Sequence, residues 1–382
     1  MDAKTFAAFA VLVAISGALA TLLVYKSGVA AGSPEIEYLG MAEYWNGHRA
    51  ALIIRIDDLV VSRDDWYLYP QCGIWSGYLI DALIEHDMKA TLGLLTNRYG
   101  WIYPVNVEDW AYIEKLVSEH GFEIASHTRY HLMPPRSRED VVGSFRDIEG
   151  NLTGYVLLTY IIPYGLYDDL DDLYVREYGI PIMITIEAMY NSLKQPTASS
   201  NWRRMWVTTW WNENNSDLRH LFDRIYKRGG VMMVATHPHT FDWNNAEEQL
   251  ESLKAFTEYL ENKSVWYTTY GELWSYLYIA SRVEVLRLNS TAFLVFMPQR
   301  LDGECARFWD FPITLTFAKP RCGDFEIYKN GVRLEEIGAI KNAGGYAEWL
   351  EGYRDAGDVV YVSIRLGPKG FALLNWKCTG RG

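Results

Sequence analysis

No cluster of lysine or arginine occurs anywhere in this chain, and its net charge is −12. Nucleic acid is therefore excluded as a partner, because its phosphates demand grouped cations. Cysteine is sparse. Cys72, Cys305, Cys322 and Cys378 form no C-x-x-C pair, which argues against zinc held by thiolates. Three of them lie beyond residue 300, and the spacing is compatible with a Cys305–Cys322 bridge. Four cysteines allow three pairings, and sequence does not choose among them. Glutamine numbers four, a hint of a heat-loving source. Internal repeats and low-complexity tracts are absent. Histidine numbers only eight, so where the histidines fall is informative.

What is present is apolar and aromatic. The 382 residues are 49% hydrophobic, enough for two domains and a large core, and include 27 tyrosines and 15 tryptophans. Most of these rings belong in a core, but a flat apolar face with a polar tip also suits a sugar. Phe6 to Tyr25 is twenty residues without a charge, long enough to span a bilayer as a helix. The apolar stretch of a cleaved signal peptide is shorter, so an uncleaved anchor is the expectation, although Ala18-Leu19-Ala20 resembles a cleavage site. Almost all of the chain follows this run, which predicts an extracytoplasmic globular part held at the membrane. Asn151, Asn214, Asn262 and Asn289 each begin a glycosylation sequon.

Residues 1–33 thus read as anchor and linker. From about Ala50 to Arg282, apolar runs alternate with helical patterns: ALIIRI, ATLGLL, FEIAS, YVLLTYII, IPIMITI and VMMVAT are strands, with helices such as VEDWAYIEKLVSEHG between them. This alternation means parallel strands with crossover helices. The expected fold for residues 34–282 is a distorted (β/α) barrel of about seven strands, with an open doubly wound sheet as the alternative. Residues 283–382 show short strands and turn signals such as Asn330-Gly331, and no helix. They predict a small β-sandwich.

The chemistry collects just beyond the strand ends. The first strand ends in Asp57-Asp58, the third in His127 with His131 four residues on, the fourth in Pro163-Tyr164-Gly165, and a late strand in His237-Pro238-His239. In a parallel α/β architecture those ends meet on one face. Four residues is about one helical turn, so both imidazoles of HTRYH can address one metal ion. Two histidines and an aspartate leave an open coordination position, as a catalytic zinc-type site requires. Adjacent aspartates on an extended strand face opposite ways, so if one binds metal the other can serve as a base. A helix cap or solvated turn explains the aspartate pair in isolation, but not together with the histidines.

These motifs resemble the polysaccharide deacetylases of carbohydrate esterase family four, over roughly residues 50–280. RIDDL corresponds to that family's strand with paired aspartates, HTRYH matches its histidine motif in full, IIPYG keeps Pro163, Tyr164 and Gly165, and VATHPH supplies a late histidine. The resemblance implies Asp57 as general base and Asp58, His127 and His131 as ligands of a divalent metal, usually zinc. It implies the Tyr164 backbone N–H as oxyanion donor and His237 as the acid for the departing amine. An amide needs all three services.

The departures are specific. Leu59 replaces a glycine. Ile161 stands where the family has an arginine that orients the base, and Arg129, Arg203 or Arg204 are the candidates to replace it. The family's fourth motif has two candidate stretches, TIEAMYNS and VTTWWNE. His239 reads as structural. The implied function is metal-dependent removal of N-acetyl groups from a glycan at the cell surface. A catalytically silent glycan-binding barrel is the alternative, and a metal hydrolase of a non-sugar amide is a third reading.

Overall fold

Ala50–Leu59 (AALIIRIDDL) is buried along almost its whole length, as a strand with parallel neighbours and covered faces must be. The computed structural model describes residues 35–59, 73–97, 107–185, 202, 205, 207–212, 217–237, 246–298, 307–346, 348–368 and 370–379. Its elements run β1 (Tyr38–Met41), β2 (Ala50–Leu59), α1 (Gly73–Glu85), β3 (Thr91–Leu94), α2 (Val107–His120), β4 (Glu123–Ser126), α3 (Arg138–Asn151), β5 (Thr159–Ile161), α4 (Asp169–Tyr178), β6 (Ile182–Ile184), β7 (Thr209–Trp210), α5 (Arg219–Lys227), β8 (Val231–Thr236), α6 (Ala246–Leu260), β9 (Val265–Thr268) and α7 (Tyr270–Ala280).

Strands β2 to β9 form one parallel sheet in the order β6-β5-β4-β3-β2-β8-β7, with β9 pairing the first half of β2. The sheet closes on itself. Met205 bridges to Ile184 on β6, and a few residues later Thr209 and Trp210 pair with Val234 and Ala235 on β8. The result is the distorted (β/α) barrel expected from the alternation. Helices α3, which buries Val141, Phe145 and Ile148 along one stripe, and α4 also belong to it. Ser137 caps α3 by accepting from the Asp140 N–H, and Asp168 and Asp171 form a reciprocal capping box on α4.

The remaining strands are β10 (Glu284–Arg287), β11 (Ala292–Phe296), β12 (Ile313–Ala318), β13 (Phe325–Lys329), β14 (Val332–Arg333), β15 (Gly352–Asp355), β16 (Val359–Ile364) and β17 (Phe371–Cys378). All pair antiparallel, in two sheets ordered β1-β12-β16-β15 and β10-β11-β17-β13-β14. Phe293, Phe317 and Trp376 pack edge-on in the core of this sandwich. Asn330 and Gly331 both have positive φ, as a two-residue hairpin turn requires.

Two readings change. The disulfide joins Cys322 to Cys378, not to Cys305, because β13 and β17 are neighbours and bring those two cysteines together. Within residues 34–282, Tyr38–Met41 pairs with β12 and so belongs to a sheet of the sandwich.

The sandwich packs on the end of the barrel where the strands begin. Lys89, just before β3, donates to the Gly344 carbonyl at 3.2 Å, and Trp309 Nε1 donates to the Val156 carbonyl, just before β5, at 2.8 Å. Gly271 lies so close that a Cβ there would meet the Trp309 ring at 2.5 Å. The base of the barrel is therefore covered, and the strand C-termini form the other end. Among the described residues no helix is long and apolar enough to cross a membrane, and the Phe6–Tyr25 run lies outside them.

Candidate active site

Along an extended strand Arg55 and Asp57 share one face and Asp58 takes the other. The alternation stops at Asp58, where φ is 56° and the register against β3 shifts. This bulge brings both aspartates to one side. His237 Nε2 lies 3.8 Å from Asp57 Oδ2 and 3.7 Å from Asp58 Oδ2. The rule that adjacent aspartates diverge fails here because the backbone is not extended.

His127 and His131 do not sit on a helix, as their spacing suggests. They bracket a turn in which Thr128 and His131 have φ of 71° and 50°. The His131 N–H donates to Thr128 Oγ1 at 2.9 Å, and Asp140 Oδ1 accepts from the Arg129 and Tyr130 N–H groups at 3.0 and 2.8 Å. The turn is thereby pinned to the first turn of α3. Of seven non-glycine residues with positive φ among the described ones, four are Asp58, Thr128, His131 and Tyr164. Such conformations cost on the order of 1–3 kcal/mol each and persist where surrounding contacts enforce them, often at functional sites.

Three ligand-type atoms converge. Asp58 Oδ1 is 3.2 Å from His127 Nε2 and 3.3 Å from His131 Nε2, and the two Nε2 atoms are 3.2 Å apart. His127 Nδ1 lies 2.9 Å from the Ile161 carbonyl, which accepts a hydrogen bond from Nδ1–H and so leaves Nε2 of the neutral ring with its lone pair. Lone pairs and a carboxylate oxygen at such distances repel unless a cation lies among them. A tetrahedral zinc with N and O ligands at about 2.0–2.1 Å has those ligand atoms about 3.3 Å apart. The donor set and its spacing therefore fit zinc. Burial by itself lowers the pKa of His127, yet Asp58 and Asp57 more than offset this and raise it. Burial, and the charge of His127 beside it, instead hold His131 down, at about 4.

Asp57 is fully buried. Arg55 Nε donates to its Oδ1 at 2.7 Å, and Nη2 donates to Oδ2. Burial pushes the Asp57 pKa up, but the Arg55 charge and hydrogen bonds outweigh it and hold the carboxyl below the ordinary range. Sequence reasoning missed Arg55. Ile161 contributes a buried apolar side chain and its carbonyl, and the arginine comes from β2 instead. Arg129 is not the replacement, because it points to Asp147, at 2.6 and 2.7 Å, and to Glu139. Arg203, Arg204 and His239 lie outside the described residues.

On the far wall, the His237 imidazole stacks on Trp210, with centroids 5.1 Å apart and planes 5° apart. Arg55 Cζ lies 5.6 Å from the Trp210 ring centroid. Of the two candidate stretches for the fourth motif, VTTWWNE reaches the site through Trp210, and residues 186–192 of the other lie outside the described residues. On the near wall, the Tyr164 ring packs against His131 at 4.5 Å between centroids. The structure thus brings Asp57, Asp58, His127, His131, Tyr164 and His237 together.

No protein-family profile matches the chain, and no curated protein matches it. Solved structures do match. One, assigned as a polysaccharide deacetylase from Mycobacterium smegmatis, is 14% identical, covers 64% of this chain and 95% of its own, and has a TM-score of 0.45. A family 4 acetyl xylan esterase from Clostridium thermocellum, solved with a cobalt ion, is 14% identical over 58% of this chain and 89% of its own, with a TM-score of 0.35. A CE4 family pseudoenzyme from Bacillus anthracis is 16% identical over 59% and 65%, also at 0.35. All three carry the family description that the motifs of this chain resemble. At these identities and scores, what the chain does has to be read from its own side chains.

Proposed function

We propose that the chain is a metal-dependent N-deacetylase acting on an N-acetylated glycan. The observation that carries this reading is the triangle of Asp58 Oδ1, His127 Nε2 and His131 Nε2, with sides of 3.2–3.3 Å, beside a carboxylate that an arginine holds ionised. Asp58, His127 and His131 would hold the zinc ion, which would supply Lewis acidity to polarise an amide carbonyl and lower the pKa of water. Asp57 takes the proton of the attacking water. The Tyr164 N–H donates to the oxyanion. His237, on the opposite wall and oriented by Trp210, gives its proton to the departing amine.

A silent glycan-binding barrel rested on the missing arginine at position 161. Arg55 removes that ground, since it supplies the same charge to the same carboxylate. The apolar run from Phe6 to Tyr25 supports an anchored, extracytoplasmic location, on sequence alone. Acetate release from N-acetylglucosamine oligomers tests the whole reading. Activity should vanish with a chelator and return with zinc. Hydrolysis that a chelator leaves untouched would refute the metal's role.

A further inference from the structure

Arg136 is neither a metal ligand nor a proton carrier, yet its guanidinium is fully buried between two loops that border the site. Its Nε donates to the Leu132 carbonyl at 2.7 Å, directly after the ligand-type His131. Its Nη1 donates to the Leu166 carbonyl at 3.0 Å and to Asp171 Oδ2 at 2.7 Å, and its Nη2 donates to the Pro163 carbonyl at 2.9 Å. Asp171 is itself fixed, because its Oδ1 accepts from the Tyr160 hydroxyl at 3.1 Å and it closes the capping box of α4. Neutralising Asp171 takes one contact. The other three go to backbone carbonyls.

The contact to Pro163 has the largest consequence. Ile162 to Gly165 form a tight turn, closed by the Gly165 N–H on the Ile162 carbonyl at 3.0 Å. Pro163 takes its second position, and Tyr164, with φ of 59° and ψ of 3°, its third. This is a type II turn, whose third residue needs positive φ and is usually glycine. Rotating the central peptide by about 180° gives a type I turn with the third residue near about −90°, which suits a tyrosine. Local preference therefore opposes the observed turn. The peptide that would rotate is Pro163–Tyr164. It is trans, so its C=O and N–H point opposite ways. Whatever fixes the Pro163 oxygen also fixes the Tyr164 N–H. A cation on that oxygen polarises the peptide and makes the N–H a stronger donor.

Resting on the deacetylase reading, we infer that Arg136 is a positioning residue. It locks the Pro163–Tyr164 peptide in the orientation that aims the Tyr164 N–H at the oxyanion, and it ties that peptide to the loop of His131. A donor held in this way needs no rearrangement at the moment of reaction.

The test is a cycle of substitutions assayed on N-acetylglucosamine oligomers. Arg136→Lys keeps a charge beside Asp171 but cannot reproduce the guanidinium fork. It should keep its zinc, hold KM within about threefold of wild type and lose roughly 10–10²-fold in kcat, part of what removing an oxyanion donor costs. Tyr164→Gly takes positive φ without strain, so in that background Arg136→Lys should cost no more than about threefold in kcat. A merely structural contact would cost the same in both backgrounds. An unchanged kcat in Arg136→Lys, a loss carried by zinc or KM, or equal losses in the two backgrounds would overturn the inference. If Arg136→Lys does not fold, Arg136→Met/Asp171→Asn, which leaves no buried charge unpaired, takes its place. If the wild type releases no acetate, the deacetylase reading fails. A crystal structure of the substituted protein then decides the lock: Tyr164 at negative φ supports it, and Tyr164 still near 59° refutes it.

Discussion

Arg55 holds both carboxylate oxygens of Asp57 from two positions earlier on the same strand. Both side chains are fully buried. Removing one partner of a buried pair leaves the other charge uncompensated, at a cost of about 3–5 kcal/mol. Arg55→Met should therefore destabilise the protein by about that much, and Arg55→Met/Asp57→Asn should recover a large part of the loss. Urea unfolding of the three proteins measures both steps. A double variant no more stable than Arg55→Met would show that the pair is not the source of the cost.

The two aspartates should fail differently. Asp58→Asn should lose bound zinc, because an amide oxygen is a poorer ligand than a carboxylate. Asp57→Asn should keep the zinc and lower kcat by about 10²–10⁴-fold, the usual contribution of a general base. Metal content and deacetylation rate on the same samples separate these outcomes. Zinc lost from Asp57→Asn and kept in Asp58→Asn would reverse the assignments.

Glu123, at the base of the barrel, should make stability depend on pH. It accepts from Thr91 Oγ1 at 2.8 Å, Thr159 Oγ1 at 2.6 Å and the Gly271 N–H at 3.0 Å. Burial nevertheless dominates, and its pKa is pushed up to about 7. The folded state then keeps a proton that the unfolded chain releases near pH ~4.3. Stability from this group is present below that pH and is lost as pH rises to about 7. Glu123→Gln stays neutral throughout. Relative to wild type it should gain on the order of 1–3 kcal/mol between about pH 4.5 and about pH 7.5. A difference in stability that does not move with pH would contradict the raised pKa.

The barrel should not survive without the sandwich. Lys89 and Glu272 form a buried ion pair at 2.5 Å, and Trp349 Nε1 donates to the same Glu272 oxygen at 3.0 Å. Trp309 and Phe311 cover the start of α7 and Trp266. A fragment of residues 34–282 would expose this pair and those rings and leave β1 unpaired. It should aggregate or digest rapidly where the full chain is native. A soluble fragment with cooperative unfolding and full activity would disprove this.

The sequence made the barrel legible because its strands are continuous apolar runs, and the site because its polar residues follow those runs. Arg55 was hidden for a physical reason. A lone arginine inside ALIIRI reads as a strand interruption, although its i, i+2 relation to Asp57 places both on one face. The histidine spacing was right for the wrong local structure, since a left-handed turn closes the same distance as a helical one. Helix α3 was open to reading from Val141, Phe145 and Ile148, spaced four and three apart, and Asp168 with Asp171, and Gly179 at the other end, could have announced α4. The Cys322–Cys378 bridge depends on which strands become neighbours, and that is a property of the sandwich as a whole.

The pairing of β1 with β12 also sets a timetable. Met41 meets Leu315, more than 270 residues later in the chain. At about 5–20 residues per second, the ribosome needs roughly 15–55 s to make the partner after the strand itself has emerged. For that interval Tyr38–Met41 is an unpaired edge, and all the barrel strands, from Ala50 to Thr268, are made before its partner is. A strand made early in synthesis is thus among the last to find its place, so the fold is finished from its first described strand only after residues near position 315 have been made.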